Sequence, residues 1–331
     1  MPPVPQAAGD PPAAPLRSAH VLVTGATGFV GGAVVRALLA RGHDVTALVR
    51  SPERAGALAD HGARLLTGDM LQPESYRDAV DHVDAVIHAA QSTPSGRMTA
   101  TKVRQIQHAD HVMTVTLASA CAAAGKRLVY TSGYFNYGDR GDDWITTETP
   151  FEPSPLGVGH AAEVQALRRD AASGLDLVVV APGFVYGPGG LFKSAFWDQA
   201  RRGRLRCIGD GHSYWSCVHI DDLANGYCAA LERAPAGGEY NLVDDAPLRL
   251  REFVDLVTDA MQSKRVGTIP PAIMGLIIGK PLVQSLVTSC RVANTEARDQ
   301  LAWIPAYRAV SDGLPGTVAQ LTALDAGTAG R

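Results

Sequence analysis

Short, almost uninterrupted apolar runs alternate with longer segments of mixed polarity over the first half of the chain. A strand that is buried on both faces has such a continuous apolar run. A strand with one solvent-exposed face alternates apolar and polar residues. Helices are predicted between the runs, the longest at about 98–124 and 159–172. The pattern therefore predicts an α/β fold with a doubly wound parallel sheet. The predicted strands lie at 20–24, 44–50, 63–69, 84–90, 127–132 and 175–181.

Beyond Pro182 the pattern changes to glycine-rich turns, scattered aromatic residues and short helices. A further strand is predicted at 239–243, and Asp221-Asp222 is expected to begin a helix, where acids suit the dipole. The chain is thus expected to leave the sheet domain, form part of a smaller lobe and return to the sheet domain. The predicted sheet domain comprises 18–181 and about 218–245, and the predicted substrate lobe about 182–217 and 246–325.

Three glycines follow the first predicted strand at a spacing of three residues, Gly25, Gly28 and Gly31. Such a turn lets backbone approach a pyrophosphate, whose charge is met by free N–H groups at the helix start. By itself the spacing also fits a tight turn that binds nothing. The strand before it and the helix after it favour a dinucleotide.

The composition of the chain limits which classes of partner it is expected to bind. The chain has 331 residues, 46% of them hydrophobic, and a formal net charge of −3. Without a basic excess, binding to nucleic acid or to a membrane surface is disfavoured, and a small-molecule substrate fits better. The apolar segment 269–287 is interrupted by Pro and Gly and predicts helices of the substrate lobe rather than a membrane span.

Five cysteines, an odd number without a C-x-x-C pair, indicate reduced thiols and a cytoplasmic location. Residues 1–17 contain six prolines and lack the features of a signal peptide. They predict a disordered tail.

Several separated segments, in this order along residues 19–320, together resemble one family. They read TGATGFVG at 24–31, GDM at 68–70, HAA at 88–90, YTSG at 130–133, YG at 137–138, APGFVYGPGG at 181–190, VHIDDLA at 218–224 and LAWIPAY at 301–307. The chain is similar to the extended and atypical short-chain dehydrogenases, the epimerase and dehydratase group, which have a Rossmann fold.

The resemblance implies a set of cofactor-binding positions. Those around the pyrophosphate are Gly25, Thr27, Gly28, Phe29, Val30 and Gly31. Asp69 and Met70 would contact the adenine, Ala89, Ala90 and Thr131 the ribose side, and Pro182, Gly183 and Val185 the nicotinamide. The family often dimerises through its two long helices, so a homodimer is expected.

The end of the second predicted strand reads Arg50-Ser51, with Arg54 a turn later. An acid there would accept from a free ribose 2′-OH, whereas a guanidinium and a hydroxyl suit a 2′-phosphate. We therefore predict NADP(H) rather than NAD. The alternative is that both arginines are solvated surface charges.

The family's hydride chemistry uses a Ser or Thr and a Tyr-x-x-x-Lys pair, and these positions are vacant. Gly133 occupies the hydroxyl position, and residues 154–163 contain neither Tyr nor Lys. Tyr134 is the first candidate for a substitute acid, because related dehydratases carry a catalytic carboxylic acid at the matching place; the alternative is a pocket wall. His160 is the second, and its alternative is a surface position.

Other polar residues are candidates for the pocket lining or for a metal site. His108, Asp110 and His111 cannot all face one metal from one helix, so we predict helix surface and no metal site. Glu163 has a family counterpart, with a structural role as plausible as a catalytic one. Residues expected to line the substrate side are Gln91, Ser92, Thr93, Tyr186, Tyr214 and Trp215.

The leading hypothesis is an NADPH-dependent reductase of a small apolar carbonyl or activated alkene. Two alternatives remain open. One is a non-redox enzyme on the same fold, such as an isomerase, dehydratase or cyclase, and the other is a cofactor-binding sensor or scaffold.

Overall fold

The structure is a computed structural model that describes residues 18–92 and 96–329. The predicted disordered tail at 1–17 and the predicted lining residue Thr93 lie outside the described residues. The strands are β1 (His20–Thr24), β2 (Asp44–Val49), β3 (Arg64–Thr67), β4 (Ala85–His88), β5 (Arg127–Thr131), β6 (Trp144–Ile145), β7 (Leu177–Pro182), β8 (Phe184–Tyr186), β9 (Cys207–Ile208), β10 (Tyr214–Trp215), β11 (Cys217–His219), β12 (Gly238–Leu242), β13 (Leu248–Arg249), β14 (Thr268–Ile269) and β15 (Arg291–Val292).

The α-helices are α1 (Phe29–Ala40), α2 (Gly56–Asp60), α3 (Ala100–Ala124), α4 (Gly157–Ala172), α5 (Gly190–Phe192), α6 (Asp198–Arg201), α7 (Ile220–Arg233), α8 (Leu250–Ala260), α9 (Pro271–Ile278), α10 (Lys280–Leu286), α11 (Thr295–Leu301) and α12 (Val310–Ala329). Turns of 3₁₀ helix span Pro52–Arg54, Pro73–Ser75, Arg77–His82 and Tyr134–Asn136, and a π-helical turn spans Lys193–Trp197.

Seven strands form the central sheet in the order β12-β7-β5-β4-β1-β2-β3, and every pair is parallel. The predicted doubly wound parallel sheet is confirmed. Six strands were predicted from the first half, and β12 adds the seventh after the chain returns from the second lobe. The strand order reverses between β1 and β4, so the ligand crevice of such a sheet lies at their carboxyl ends.

Alternate residues of β1 enter different cores. Val21 and Val23 pack on the side covered by α1 and α7, whereas Leu22 packs with Leu117 of α3 and Val164 of α4. Both faces of β1 are therefore buried, as its continuous apolar run predicts. The predicted homodimer through the outer faces of α3 and α4 stays a prediction.

The second lobe has its own aromatic core. Phe184, Phe196, Trp215 and Phe253 contact one another with ring centroids 4.7–5.9 Å apart. Segment 269–287 contributes α9 and α10 to this lobe. Within the described ranges, no helix is both long and apolar enough to cross a bilayer.

Asp222, in the first turn of α7, ties the C-terminal region to the sheet domain. Its carboxylate accepts from the backbone N–H groups of Ala306 at 2.8 Å and Tyr307 at 2.9 Å. The side chain is buried, and burial raises its pKa although both hydrogen bonds oppose the rise. The carboxylate therefore holds the loop before α12 in place.

We predict that Asp222→Asn lowers the free energy of unfolding by about 1.5–3 kcal/mol, because one of the two N–H groups then meets an amide donor. Chemical denaturation of both forms measures the difference. The control is Asp221→Asn, whose exposed carboxylate lies 3.6 Å from His219 Nδ1. An equal loss in both variants would show that the two N–H contacts are not what stabilises this loop.

Candidate active site

The turn between β1 and α1 brings three pieces of backbone into close contact. Gly25 has a φ of +70°, and a Cβ there would lie 2.7 Å from the Ala90 Cα. A Cβ at Gly31 would lie 2.2 Å from the Gly25 carbonyl oxygen. Side chains at either position would force the strand ends and the helix apart. The turn thus keeps the compact shape that lets a ligand reach backbone N–H groups.

The start of α1 leaves its first N–H groups without a side-chain acceptor. Gly28 is the N-cap and offers no side chain, and the first turn contains no acidic residue. Thr27 is exposed in the turn, and Phe29 and Val30 are half-buried. A helix start of this kind attracts anions, because the N–H groups and the dipole both favour negative charge.

The second lobe reaches back over this turn. The ring of Phe29 lies against the backbone of Gly189 and Gly190, which follow β8. The backbone of the APGFVYGPGG segment therefore covers the helix start. The first residues of this segment are hydrogen-bonded to neighbouring strands. The Gly183 N–H donates to the Leu242 carbonyl at 3.1 Å, and Val185 pairs with Val218. Pro182 ends β7 and pairs with Leu242 of β12.

Arg50, Ser51 and Arg54 lie just beyond the carboxyl end of β2. Arg50 and Arg54 are exposed, and Ser51 is half-buried as the N-cap of a 3₁₀ turn. No hydrogen bond or ion pair from a described residue occupies either guanidinium. Both cations are therefore available to a ligand at this edge.

Asp69 and Met70 follow β3. One carboxylate oxygen of Asp69 accepts from the Leu71 N–H at 2.9 Å, and the Asp69 N–H donates to the Ser75 hydroxyl at 3.0 Å. The Met70 carbonyl accepts from the Tyr76 hydroxyl at 3.1 Å. These bonds fix the loop beside the end of β2.

A buried polar pair supports Ala89 and Ala90 at the end of β4. The Ala90 N–H donates to the Thr24 hydroxyl at 3.3 Å, and this hydroxyl lies 2.9 Å from His88 Nδ1. Burial lowers the pKa of His88 to about 3, with His160 adding to the effect, so the ring is neutral. On β5, the Thr131 hydroxyl is bonded to the Tyr227 hydroxyl at 2.7 Å.

His160 lies in the first turn of α4 and joins two other polar side chains. Its Nδ1 is 3.1 Å from the Tyr130 hydroxyl, and its Nε2 is 3.3 Å from the Gln91 amide nitrogen. Because an amide nitrogen can only donate, the ring proton then lies on Nδ1 and is donated to Tyr130. Burial lowers the pKa of His160 to about 4. Its neutral imidazole thus connects the buried Tyr130 to the exposed loop after β4.

Tyr134 lies where the sheet domain meets the second lobe. It is buried with Val243, Cys290 and Val292, and its ring lies 4.6 Å from that of Phe135. No described residue hydrogen-bonds to its hydroxyl. Burial raises the pKa of this phenol well above its usual value. The group is therefore a protonated hydroxyl with its donor free.

The prediction of a surface position is wrong for Asp110. This residue of α3 is buried, and its carboxylate accepts from the Ser92 N–H at 3.3 Å. Burial raises its pKa to about 6. On the same helix, His111 Nδ1 lies 2.8 Å from Glu163 of α4. Within the described ranges, no group of three His, Cys, Asp or Glu residues is placed to hold a metal.

The aromatic residues expected at the substrate side differ in position. Tyr186 and Trp215 are almost fully buried, and the Trp215 indole donates to the Leu286 carbonyl at 3.0 Å. Tyr214 is half-buried, with the Arg249 guanidinium 3.8 Å from its ring centroid. Gln91 and Ser92 are exposed after β4.

A comparison with family models identifies the chain. The model described as the NAD dependent epimerase/dehydratase family matches residues 21–242, which include β1 to β12. The chain belongs to this family.

Two relatives show what members of this kind do elsewhere. A 3-diazoavenalumate denitrifying reductase of a Streptomyces species is 29% identical over 309 residues, 89% of this chain and 99% of that one. A 4-hydroxy-2-methyl-3-oxo-4-farnesyl-3,4-dihydroquinoline-1-oxide ketoreductase of Stigmatella aurantiaca is 32% identical over 281 residues, 82% and 83% of the two chains.

Two solved structures share the fold. A dTDP-glucose 4,6-dehydratase from Bacillus anthracis, in complex with NAD, has a TM-score of 0.77 at 18% identity and covers 92% of this chain and 96% of its own. The human epimerase family protein SDR39U1, with NADPH, has a TM-score of 0.75 at 23% identity and covers 91% and 99%.

Sequence reasoning missed the partners of His160. Tyr130 lies inside an apolar strand run, where a Tyr is usually core. The structure pairs β4 with β5, and this pairing places Tyr130 beside His88. For this family member, the structure brings together Gln91, Tyr130 and His160, and it places Tyr134 in a separate cluster.

The lowered pKa of His160 predicts acid sensitivity. Between pH 6.5 and about 4 the unfolded chain holds a proton on this ring and the folded chain does not, so folding stability falls as the pH is lowered through this window. We expect His160→Gln to weaken that pH dependence of the unfolding free energy.

Denaturant titrations at pH 4.5, 5.5, 6.5 and 7.5 measure it, and His108→Gln, on the exposed side of α3, is the control. An unchanged slope in His160→Gln would mean that the folded-state imidazole titrates like the free side chain.

Proposed function

We propose that this protein is an NADPH-dependent reductase of a small, largely apolar carbonyl compound or activated alkene. The observation that carries the proposal is the intact dinucleotide turn between β1 and α1. Tyr134 and His160 are the two candidate proton donors that we assign to it. The reductase names of the two relatives support it. The reaction itself is inferred from this site.

The residues of the turn fit a dinucleotide. Gly25 and Gly31 leave room where a Cβ would meet backbone, and α1 begins without a side-chain cap or an acidic residue in its first turn. Phosphates would lie against these N–H groups, with Ala89 and Ala90 along the ribose and Pro182, Gly183 and Val185 beside the nicotinamide. The bound cofactor would supply a hydride to the substrate.

The exposed arginines support NADP(H) over NAD. Arg50 and Arg54 follow β2, where a 2′-phosphate on the adenine ribose would lie, and no described acid competes for them. Ser51 adds a hydroxyl to the same edge. Charge-assisted bonds to phosphate oxygens are strong, so one arginine contact decides the preference.

We predict that Arg50→Asp inverts the order of affinities, so that NAD binds more tightly than NADP. The charged hydrogen bond at stake is worth about 1.5–3 kcal/mol, or roughly 10- to 150-fold in affinity. Calorimetry with both cofactors measures it. Arg64→Asp, an exposed arginine at the start of β3, is the control. Equal wild-type affinities for NAD and NADP would refute the cofactor assignment.

The proton for the substrate oxygen would come from Tyr134. Its raised pKa keeps the hydroxyl protonated, and an alkoxide is basic enough to take that proton. His160, with its proton bridge to Tyr130, is the second candidate and could also act as a relay.

We expect Tyr134→Phe to leave NADP affinity and melting temperature nearly unchanged and to lower turnover by about 100-fold or more, the usual scale for a general acid. Tyr240→Phe removes a hydroxyl from a buried tyrosine of β12 that is hydrogen-bonded to Gln300, and it controls for a general effect on packing. Full activity in Tyr134→Phe, with a large loss in His160→Ala, would transfer the role to His160.

A second candidate reaction has a specific observation in its favour. Gly133 stands at the position of the family's Ser or Thr, and residues 154–163 contain neither Tyr nor Lys. A carbon bearing a diazonium group loses dinitrogen on accepting hydride and forms a C–H bond without any proton from the protein. The relative named as a diazo denitrifying reductase makes such a substrate reasonable. Turnover of an aryl diazonium that is insensitive to Tyr134→Phe would favour this reaction.

A panel of ketones, aldehydes, enones and an aryl diazonium, followed by NADPH absorbance, tests the reductase as a class. Oxidation of NADPH with none of them would favour a non-redox enzyme or a cofactor-binding sensor. These two differ in whether a substrate is converted while the cofactor stays unchanged.

A further inference from the structure

Two buried asparagines each have one polar side-chain atom without a hydrogen-bond partner among the described residues. Asn136, in the 3₁₀ turn after β5, donates from Nδ2 to the Ser132 hydroxyl at 2.7 Å, and its Oδ1 is unpartnered. Asn241 of β12 accepts at Oδ1 from the Tyr137 hydroxyl at 3.0 Å, and its Nδ2 is unpartnered. The two residues are 1% and 0% exposed. One acceptor and one donor therefore lie in the interior, where folded proteins rarely leave such atoms unpaired.

The two asparagines line the same small cavity. Asn136 follows β5 and Asn241 lies on β12, and β7 runs between these two strands in the sheet. Asn241 pairs with Ala181 of β7, whose short side chain also lines the cavity. The cavity has a volume of about 10 Å³. A polar cavity of about 10–15 Å³ has room for one water molecule.

The unpartnered atoms fit water better than an ion or an organic ligand. A water molecule accepts from an amide N–H and donates to an amide oxygen, so it satisfies both atoms at once. A cation has no acceptor for the Asn241 N–H, and an anion has no donor for Asn136 Oδ1. Buried waters typically make about three hydrogen bonds. Oxygen-bearing residues for a third bond also line the cavity, namely Ser132, Thr147 and Glu239.

We propose that one water molecule binds in this cavity and bridges Asn136 Oδ1 to Asn241 Nδ2. The bridge completes a chain of hydrogen bonds from the Ser132 hydroxyl, just after β5, through both amides to the Tyr137 hydroxyl. It fastens the turn Tyr134–Asn136 to β12 across β7. This water site does not depend on the proposed function, although the turn that it holds also carries Tyr134.

A high-resolution crystal structure of the wild-type protein tests the site directly. We expect electron density for one water molecule within about 3.2 Å of both Asn136 Oδ1 and Asn241 Nδ2. The density should be absent in Asn241→Leu. It should remain in the control Asn294→Leu, because Asn294 is a buried asparagine that bonds to Val243 and Asp245 instead. A wild-type cavity without this density, or a direct bond between the two amides, would overturn the proposal.

A second test follows the water in solution and needs no variant that removes an asparagine. In isotope-labelled wild-type protein, the Asn241 side-chain amide protons should show a nuclear Overhauser effect with water, of the sign given by a molecule that stays bound for longer than the protein tumbles. The exposed amide of Asn225 is the control. The effect should persist in Tyr137→Phe, which excludes relay through that hydroxyl. The same sign at Asn225 and Asn241 would contradict a bound water.

A third test measures whether the two asparagines share one ligand. Asn136→Leu and Asn241→Leu should each lower the melting temperature by several degrees, because either change leaves the other amide unpaired. The double variant should lose less than the sum of the two, since one water serves both residues. Asn136→Leu combined with Asn294→Leu should give additive losses. Additive losses for the Asn136 and Asn241 pair would show that no common water connects them.

Discussion

The close approach of Gly25 to Gly31 and Ala90 is the constraint on which the rest of this molecule depends. Two carboxyl strand ends and one helix start meet there without room for a Cβ. The contact sets how far α1 lies from the sheet, and so where its free N–H groups point. It also sets the position of the carboxyl end of β4, beside which a nicotinamide would lie. The proposed contacts to the pyrophosphate follow from that one piece of backbone packing.

Buried polar pairs then keep the strand ends rigid. The Ala90 N–H is held through Thr24, which is bonded to a neutral His88, and Tyr130 is bonded to a neutral His160. Burial disfavours the charged imidazole at both places, and each ring keeps a hydrogen-bond partner. The carboxyl ends of β1, β4 and β5 therefore carry hydrogen-bonded polar side chains. That polar edge makes alternative proton donors chemically reasonable.

The second lobe is fastened to the same edge at two points. Gly189 and Gly190 cover the Phe29 ring at the helix start, and Ser285 holds the approach to α4. Between these points the lobe contributes an uncharged helix with an exposed apolar face. The glycine turn and the exposed apolar helix are thus built by different parts of the chain.

The sequence by itself determined the parallel sheet, because strands buried on both faces must be apolar throughout, and it determined the glycine turn, because only glycine tolerates those contacts. It also showed that residues 154–163 contain neither Tyr nor Lys. Only the tertiary structure decided which side chains meet. Tyr186 and Trp215 are almost fully buried, and Asp110, which looks like helix surface in the sequence, is buried as well. Tyr130 and His160 are thirty residues apart and bond because β5 ends beside the start of α4. Such pairings depend on how strands and helices pack across the sheet, and a local pattern of polar and apolar residues does not contain that information.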